Sequence, residues 1–300
     1  MRAYLDLCGL KISLFASLAA LTGFILSAGR PDVRATALVI GVFALACGAR
    51  SLNQYQERET DRLMPRTMKR PLPSGRLRPA EALLFSGCLI LFGLVTLLLT
   101  GPAGAPLLGL FAVCWYNGLY TRLKRYSAFA VVPGALAGAA PPAIGWAAAG
   151  GPLGDSRLSA LCFFFFMWQV PHFWIFNLRF AEEYSAAGLP SLTRKFSGRQ
   201  LGRIIFSWVS AAAASSLLLA GRGVVRHTIV YEIIAFVSVV VVVGGALLLV
   251  RRDRRMYAAA FRGVNLYALA VMAALVADRL WFHYMTCPGL CCEISATSMQ

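Results

Sequence analysis

Apolar residues in this chain fall in long runs, separated by short stretches where arginine, lysine and the acids collect. A bilayer core about 30 Å thick needs roughly 20 apolar residues per crossing helix. That ruler predicts nine spans, at 8–28, 35–52, 82–100, 104–120, 127–149, 158–178, 204–221, 228–250 and 263–282. The fifth is rich in Gly and Ala and carries Pro133, Pro141 and Pro142. Membrane helices tolerate proline where neighbours satisfy the freed carbonyls, and small residues let helices approach closely. A kinked, tightly packed helix is expected there. Alternating strands of about ten residues are absent, which excludes a β-barrel. The pattern predicts an all-α, polytopic membrane bundle forming one domain over 1–300, with no internal repeat strong enough to argue from.

Composition agrees. Hydrophobic residues make up 58% of the 300 and charged residues 14%, against roughly 45–50% and 25% in soluble domains. Mean hydropathy is +0.66. Disordered chains, secreted disulfide scaffolds and most soluble enzymes are excluded. The formal charge of +16, from 29 Lys+Arg against 13 Asp+Glu, would point to nucleic acid in a soluble protein. Here it reads as topology, because cytoplasmic loops collect Lys and Arg. Counting Arg2 with the loops 53–81, 121–126, 179–203 and 251–262 puts 21 basic residues on one side. The other side has six, and Lys11 and Arg50 fall inside spans. The N-terminus is therefore expected in the cytoplasm and the C-terminus outside, with the first apolar stretch retained and no nucleic-acid partner; the expected setting is a bacterial inner membrane. Cys8, Cys47, Cys88, Cys114 and Cys162 read as buried thiols. The tail Cys287, Cys291 and Cys292 lacks a completing metal-ligand spacing.

Thirteen acids are few enough to weigh singly, and five gather in two groups near the cytoplasmic ends of spans. In the first, Asn53, Glu57 and Asp61 recur every four residues, so a helix would stack them on one face while Glu59 points elsewhere. Hard cations such as Mg²⁺ are held by one or two carboxylates plus substrate phosphates. Arg62, Arg66 and Arg70 repeat the spacing beside them, although Pro65 must interrupt a helix there. Guanidinium groups suit bidentate contact with phosphate. A solvated helix with i,i+4 ion pairs is the plainer explanation. The clustering where an apolar bundle opens to water favours a site.

The second group ends the sixth span, with Trp168, Pro171, His172, Trp174, Arg179, Glu182, Glu183 and Tyr184. A histidine inside a span is more often hydrogen-bonded structure than ligand, yet ionisable groups at membrane depth mark function by default. On a continuous helix His172 would lie three turns below Glu183, about 16 Å at 1.5 Å per residue. Two acidic clusters with basic neighbours at one end of a bundle describe a diphosphate site with bridging Mg²⁺. An apolar chamber below would suit a lipid-like tail.

The residues Asn53, Tyr55, Glu57, Arg58, Asp61, Arg62, Met64, Arg66, Thr67, Arg70 and Pro71 resemble the first signature of the UbiA-type membrane prenyltransferases. The resemblance is to the branch that farnesylates protohaem IX. It continues through Tyr120-Thr121, Leu123-Lys124-Arg125, Pro141-Pro142, Gly145-Trp146, Pro171-His172-Phe173-Trp174 and Glu182-Glu183-Tyr184, within 53–190. It implies a nine-span fold opening to the cytoplasm, with farnesyl diphosphate and haem B as substrates. Mg²⁺ would be held through diphosphate by Asn53, Glu57, Asp61 and Glu183. Arg66, Arg70, Lys124 and Arg125 would neutralise the leaving diphosphate. His172, with Trp168 and Tyr184, would stand on the haem side, the His in contact or proton handling, and terminal-oxidase assembly or haem-processing membrane proteins would be partners.

Glu57 and Glu183 stand where many members have Asp; Ala130, Pro133 and Phe180-Ala181 also depart from the branch. A same-fold enzyme with an aromatic or quinone-precursor acceptor, a transporter and an inactive assembly partner are the alternatives. Transporters place their charges near the midplane and often show repeats, whereas these charges gather at one end.

Overall fold

The structure is a computed structural model, and it describes residues 2–250 and 253–286. The described residues are helical throughout their ordered elements and contain no strand. The chain runs through α1 (Arg2–Cys8), α2 (Leu10–Ala28), α3 (Val33–Arg62), α4 (Pro79–Thr100) and α5 (Gly104–Val113). A π-helical segment, Cys114–Tyr120, leads into α6 (Thr121–Leu123), and a 3₁₀ turn, Ala128–Ala130, into α7 (Val131–Ala148). Then follow α8 (Ser156–Arg179), α9 (Ala181–Ala186), α10 (Gly198–Gly221), α11 (Thr228–Val250) and α12 (Arg254–Thr286).

Eight helices among the described residues are long and apolar enough to cross a membrane. The predicted span 104–120 is helical along its whole length, but it changes from α to π at Cys114 and is not one uniform rod. The predicted 8–28 span begins two residues late, at Leu10 after a break at Gly9, whose φ of +58° is left-handed and ends α1. That conformation costs most residues their Cβ clearance but not glycine. Cys287, Cys291, Cys292 and the chain end at Gln300 lie outside the described residues.

Packing follows chain order for most of the bundle, and α12 returns to pack on α2 and α8. The close approach expected for the Gly/Ala-rich span is present, between α7 and α2. Ala19, Ala139, Ala143 and Trp146 share one core with Phe164, Phe165 and Trp174 of α8. Pro141 and Pro142 lie inside α7, which continues through them as one helix. Outside the core, Leu84, Leu91 and Leu99 of α4 and Phe236, Val239 and Val250 of α11 are exposed, as lipid contact requires.

One local expectation changes. Cys88 and Cys114 are exposed rather than buried, while Cys8 and Cys47 are buried. Asp278 is fully buried, with its partners just before the adjacent helix α11. It accepts from the backbone N–H groups of Arg226 and His227, both at 2.9 Å, and is 2.9 Å from His227 Nδ1.

Candidate active site

Helix α3 is 30 residues long, about 45 Å at 1.5 Å per residue, and so outruns the membrane. Its last turns carry the first acidic group into the bundle. Asn53 and Asp61 are almost fully buried, Glu57 nearly so, and Glu59 points out to pair with Arg62 and Arg58. The helix stops at Arg62. Pro65 and a run of turns then fold the following segment back, so Arg70 Nη1 reaches Asp61 Oδ2 at 2.6 Å. Thr67 Oγ1 donates to the Asp61 carbonyl at 2.9 Å and pins the return.

From the other side, Lys124 forms an ion pair with Glu57. Burial pulls the Lys124 ammonium down, but the charge and hydrogen bond of Glu57, together with Tyr116 and Tyr184 beside it, hold the group above the usual lysine value. Arg70 moves the other way: burial and the facing Arg50 guanidinium lower it despite Asp61. Asn53 Nδ2 donates to Thr121 Oγ1 at 3.0 Å, joining α3 to the end of the π segment.

The second acidic group differs from the continuous-helix expectation. Helix α8 ends at Arg179, and Phe180 leaves helical geometry at φ −118°, ψ 24°. The chain restarts as α9, so the axial separation reckoned on one helix does not apply. Glu183 Oε2 accepts from the Arg66 backbone N–H at 3.2 Å, and Glu182 turns outward to Arg254 at 2.7 Å. The Arg66 guanidinium rests over Phe176 and Phe180, at 5.1 and 4.9 Å from the ring centres.

Two cavities meet here. One, of about 180 Å³, is lined by Glu57, Asp61, Arg66, Arg70, Lys124, Arg125 and Tyr184 among others. The second, of about 240 Å³, lies deeper and is walled by apolar side chains of α2, α3, α7 and α8, such as Ala19, Val42, Leu45, Pro141 and Ile144. Ile12, Arg50, Tyr116, Tyr120, His172 and Phe173 line both. They form the waist between a charged chamber and an apolar one.

The structure thus brings together Glu57, Asp61, Arg66, Arg70, Lys124, Tyr184 and His172 around the charged chamber, with Glu183 behind Arg66 and Arg125 at the rim, bonded to the Gln56 carbonyl at 2.8 Å. Asn53 lines neither chamber, its amide held between Arg50 and Thr121. Trp168 is not brought in. It is buried, its indole N–H donates to the Val264 carbonyl at 2.8 Å, and it stacks on Phe15. Sequence reasoning gave no site role to Arg50, Tyr116, Tyr120 or Phe173, although Tyr120 and Phe173 fall within the motifs that carry the resemblance. For Arg50 a signal existed, a charge inside an apolar run; the aromatics look like core in any span.

Among the described residues no three His, Cys, Asp or Glu side chains converge. The oxygen donors still fit Mg²⁺ in its usual mode, in which one or two carboxylates act with substrate phosphates. Glu57 and Asp61 supply that pair, one turn apart on the chamber wall. The buried Nε atoms of Arg50 and Arg66 have no partner among the described residues, leaving donors for an anion. The chamber lining holds five cations against two carboxylates.

The profile of the UbiA prenyltransferase family matches residues 14–286. Protoheme IX farnesyltransferase of Geobacter sulfurreducens is 43% identical over 213 residues, covering 71% of this chain and 78% of that one. Its counterpart in Oleidesulfovibrio alaskensis is 33% identical over 280 residues, 93% and 97% of the two chains. In fold, the chain is similar to a UbiA homolog from Archaeoglobus fulgidus bound to GPP and Mg²⁺, with a TM-score of 0.68 at 15% identity over 91% and 99% of the chains. A structure of digeranylgeranylglyceryl phosphate synthase gives 0.72 at 20% identity, over 93% and 98%. The chain belongs to the UbiA prenyltransferase family and is a multi-pass membrane prenyltransferase.

Proposed function

We propose that the chain, as one domain over 1–300, transfers farnesyl from farnesyl diphosphate to a vinyl group of protohaem IX (haem B), with Mg²⁺, giving haem O. The observation that carries this is the pair of joined chambers, one lined by charge and one by hydrocarbon. They match a donor with an anionic head and a prenyl tail. Relatives named protoheme IX farnesyltransferase support the acceptor. An A. fulgidus homolog bound to GPP and Mg²⁺ supports the donor class and the metal.

Glu57 and Asp61, with Asn53 and Glu183 beside them, would hold Mg²⁺ through the diphosphate. When bound, the metal supplies Lewis-acid stabilisation of the leaving group. Arg66, Arg70, Lys124 and Arg125 bind and orient the diphosphate and spread its charge. Lys124 and Arg70 already face the chamber on their carboxylate partners. The apolar walls keep water from the allylic cation. Tyr184 and His172 contact the acceptor side, and Trp168 supports His172 from behind, ring centres 5.0 Å apart.

His172 Nδ1 is buried without a partner among the described residues, and the ring also contacts Asn265. An imidazole fixed on one side and open on the other suits acceptor contact or proton handling. His172→Ala is expected to lower haem farnesylation at least about tenfold, roughly 1.4 kcal/mol in the barrier, while farnesyl diphosphate affinity stays near wild type. Both are measured on the same purified variant beside its melting temperature. Parallel losses in all three would make His172 scaffolding. The reaction itself is tested by extracting pigment from cells making the chain. A haem carrying a hydroxyethylfarnesyl group, seen by mass, is the expected product; its absence, or prenylation of a phenol instead, defeats the reading.

We further propose a bacterial inner-membrane setting with the N-terminus cytoplasmic, where oxidase-assembly or haem-processing proteins would take the product. A reporter after Gln300 should read as external and one within 251–262 as cytoplasmic. A cytoplasmic reading at Gln300 would mean an even number of crossings.

A further inference from the structure

Arg50 lies eleven residues before Asp61 and seven before Glu57, so both acids project within about 20° of Arg50, one on either side, along one stripe of α3. It is the deepest charge on that stripe. A cation inside a span is costly unless it is paired or faces a cavity. Arg70 and Lys124 each hold a carboxylate, whereas Arg50 forms no ion pair among the described residues. Its Nη1 donates to Asn53 Oδ1 at 3.1 Å, and Tyr116 lies beside it. Nε is buried with no partner among the described residues.

The fold makes room for this guanidinium. Gly9, in its left-handed break, lies against the Arg50 stem, and a Cβ there would come within 3.0 Å of Arg50 Cγ. The side chain is held at the waist, where it lines both cavities. On the reading given under Proposed function, the diphosphate occupies the charged chamber and the tail the apolar one. The bond that breaks must then lie at the waist.

We propose that Arg50 is a catalytic residue that binds the phosphate nearest the prenyl chain and stabilises it as it leaves. In that step the allylic C–O bond breaks and its electron pair stays on the phosphate oxygen, so diphosphate departs as the anion. The allylic carbon bonds to the π electrons of the acceptor vinyl group, and water adds to the resulting cation with loss of a proton. Arg50 donates from a dry site to the oxygen on which charge develops, where such a donor is worth most. Arg66 serves the far end of the same anion.

The test uses the full chain in lipid nanodiscs, with inorganic diphosphate as the binding probe. Arg50→Gln is expected to lower kcat about a hundredfold or more and diphosphate affinity about tenfold. Its melting temperature should stay near wild type. Arg50→Lys, which keeps the charge, should recover at least about a tenth of wild-type kcat. Wild-type diphosphate affinity in Arg50→Gln would overturn the assignment. So would a change confined to the KM of the acceptor, which would move Arg50 to the acceptor side. Equal loss in both variants with a fallen melting temperature would make it scaffold. Wild-type protein that binds no diphosphate would instead overturn the prenyl-transfer reading on which the assignment rests.

Discussion

Asp61→Asn and Glu57→Gln are each expected to lower turnover about a thousandfold or more, roughly 4 kcal/mol in the barrier. Each change keeps volume and removes one oxygen charge from a buried wall of the charged chamber. Each also frees a cation, Arg70 in one case and Lys124 in the other. Breaking a buried pair from one side costs about 3–5 kcal/mol of stability; here the cost is smaller, because Arg70 and Lys124 keep 18% and 23% of their side chains exposed. Lost activity could therefore reflect an unpaired cation as well as a lost metal ligand. The double variant Asp61→Asn/Arg70→Gln isolates the stability part, since it removes the orphaned charge and should recover melting temperature, while turnover stays low because it also lacks the Arg70 contact to diphosphate; the metal is tested by Mg²⁺ dependence. Turnover should also stop with EDTA and return with Mg²⁺. A double variant that regains activity, or an enzyme indifferent to EDTA, would remove Mg²⁺ from the mechanism.

How much could be read from sequence depends on which forces are local. Membrane crossings were legible because hydrocarbon admits backbone only in internally bonded form, so apolar length translates directly into helix. The stripe of Asn53, Glu57 and Asp61 was legible for the same reason, since periodicity survives wherever the helix is continuous. Phe180 shows the limit. Nothing in the run from His172 to Tyr184 marks a helix end as Pro65 does, and the break appears where Glu183 turns to the Arg66 N–H. That is a long-range contact between 66 and 183, invisible to spacing. Trp168 fails differently. Its neighbour His172 reaches the waist, but its own indole is taken by Val264 of α12, a partner 96 residues away that sequence could not name. Arg50 was visible as an anomaly and was set aside as a charge in a span. Only the cavities show that it stands between the two chambers.

Gly145→Ala is expected to destabilise the bundle by about 3 kcal/mol or more. A Cβ there would lie 1.7 Å from the Ala20 carbonyl oxygen and 2.6 Å from its carbon. One helix away the relation is mirrored, with a Cβ at Gly23 2.0 Å from the Pro142 carbonyl oxygen. Both obstacles are backbone, so no rotamer change relieves them, and α2 and α7 must separate by about an ångström or more. Ala19 of α2 and Ile144 of α7 both wall the apolar chamber. The same displacement therefore opens the prenyl cavity, and turnover should fall even in whatever fraction stays folded. Gly87→Ala on α4 is the matched control, since nothing lies within 4 Å of its added methyl. There the substitution only improves helix propensity, by at most about 1 kcal/mol. Melting temperature and turnover of the two variants, read side by side, decide the matter. If Gly145→Ala melts and turns over like Gly87→Ala, then α2 and α7 do not meet backbone to backbone, and the narrow chamber between them is wider than drawn.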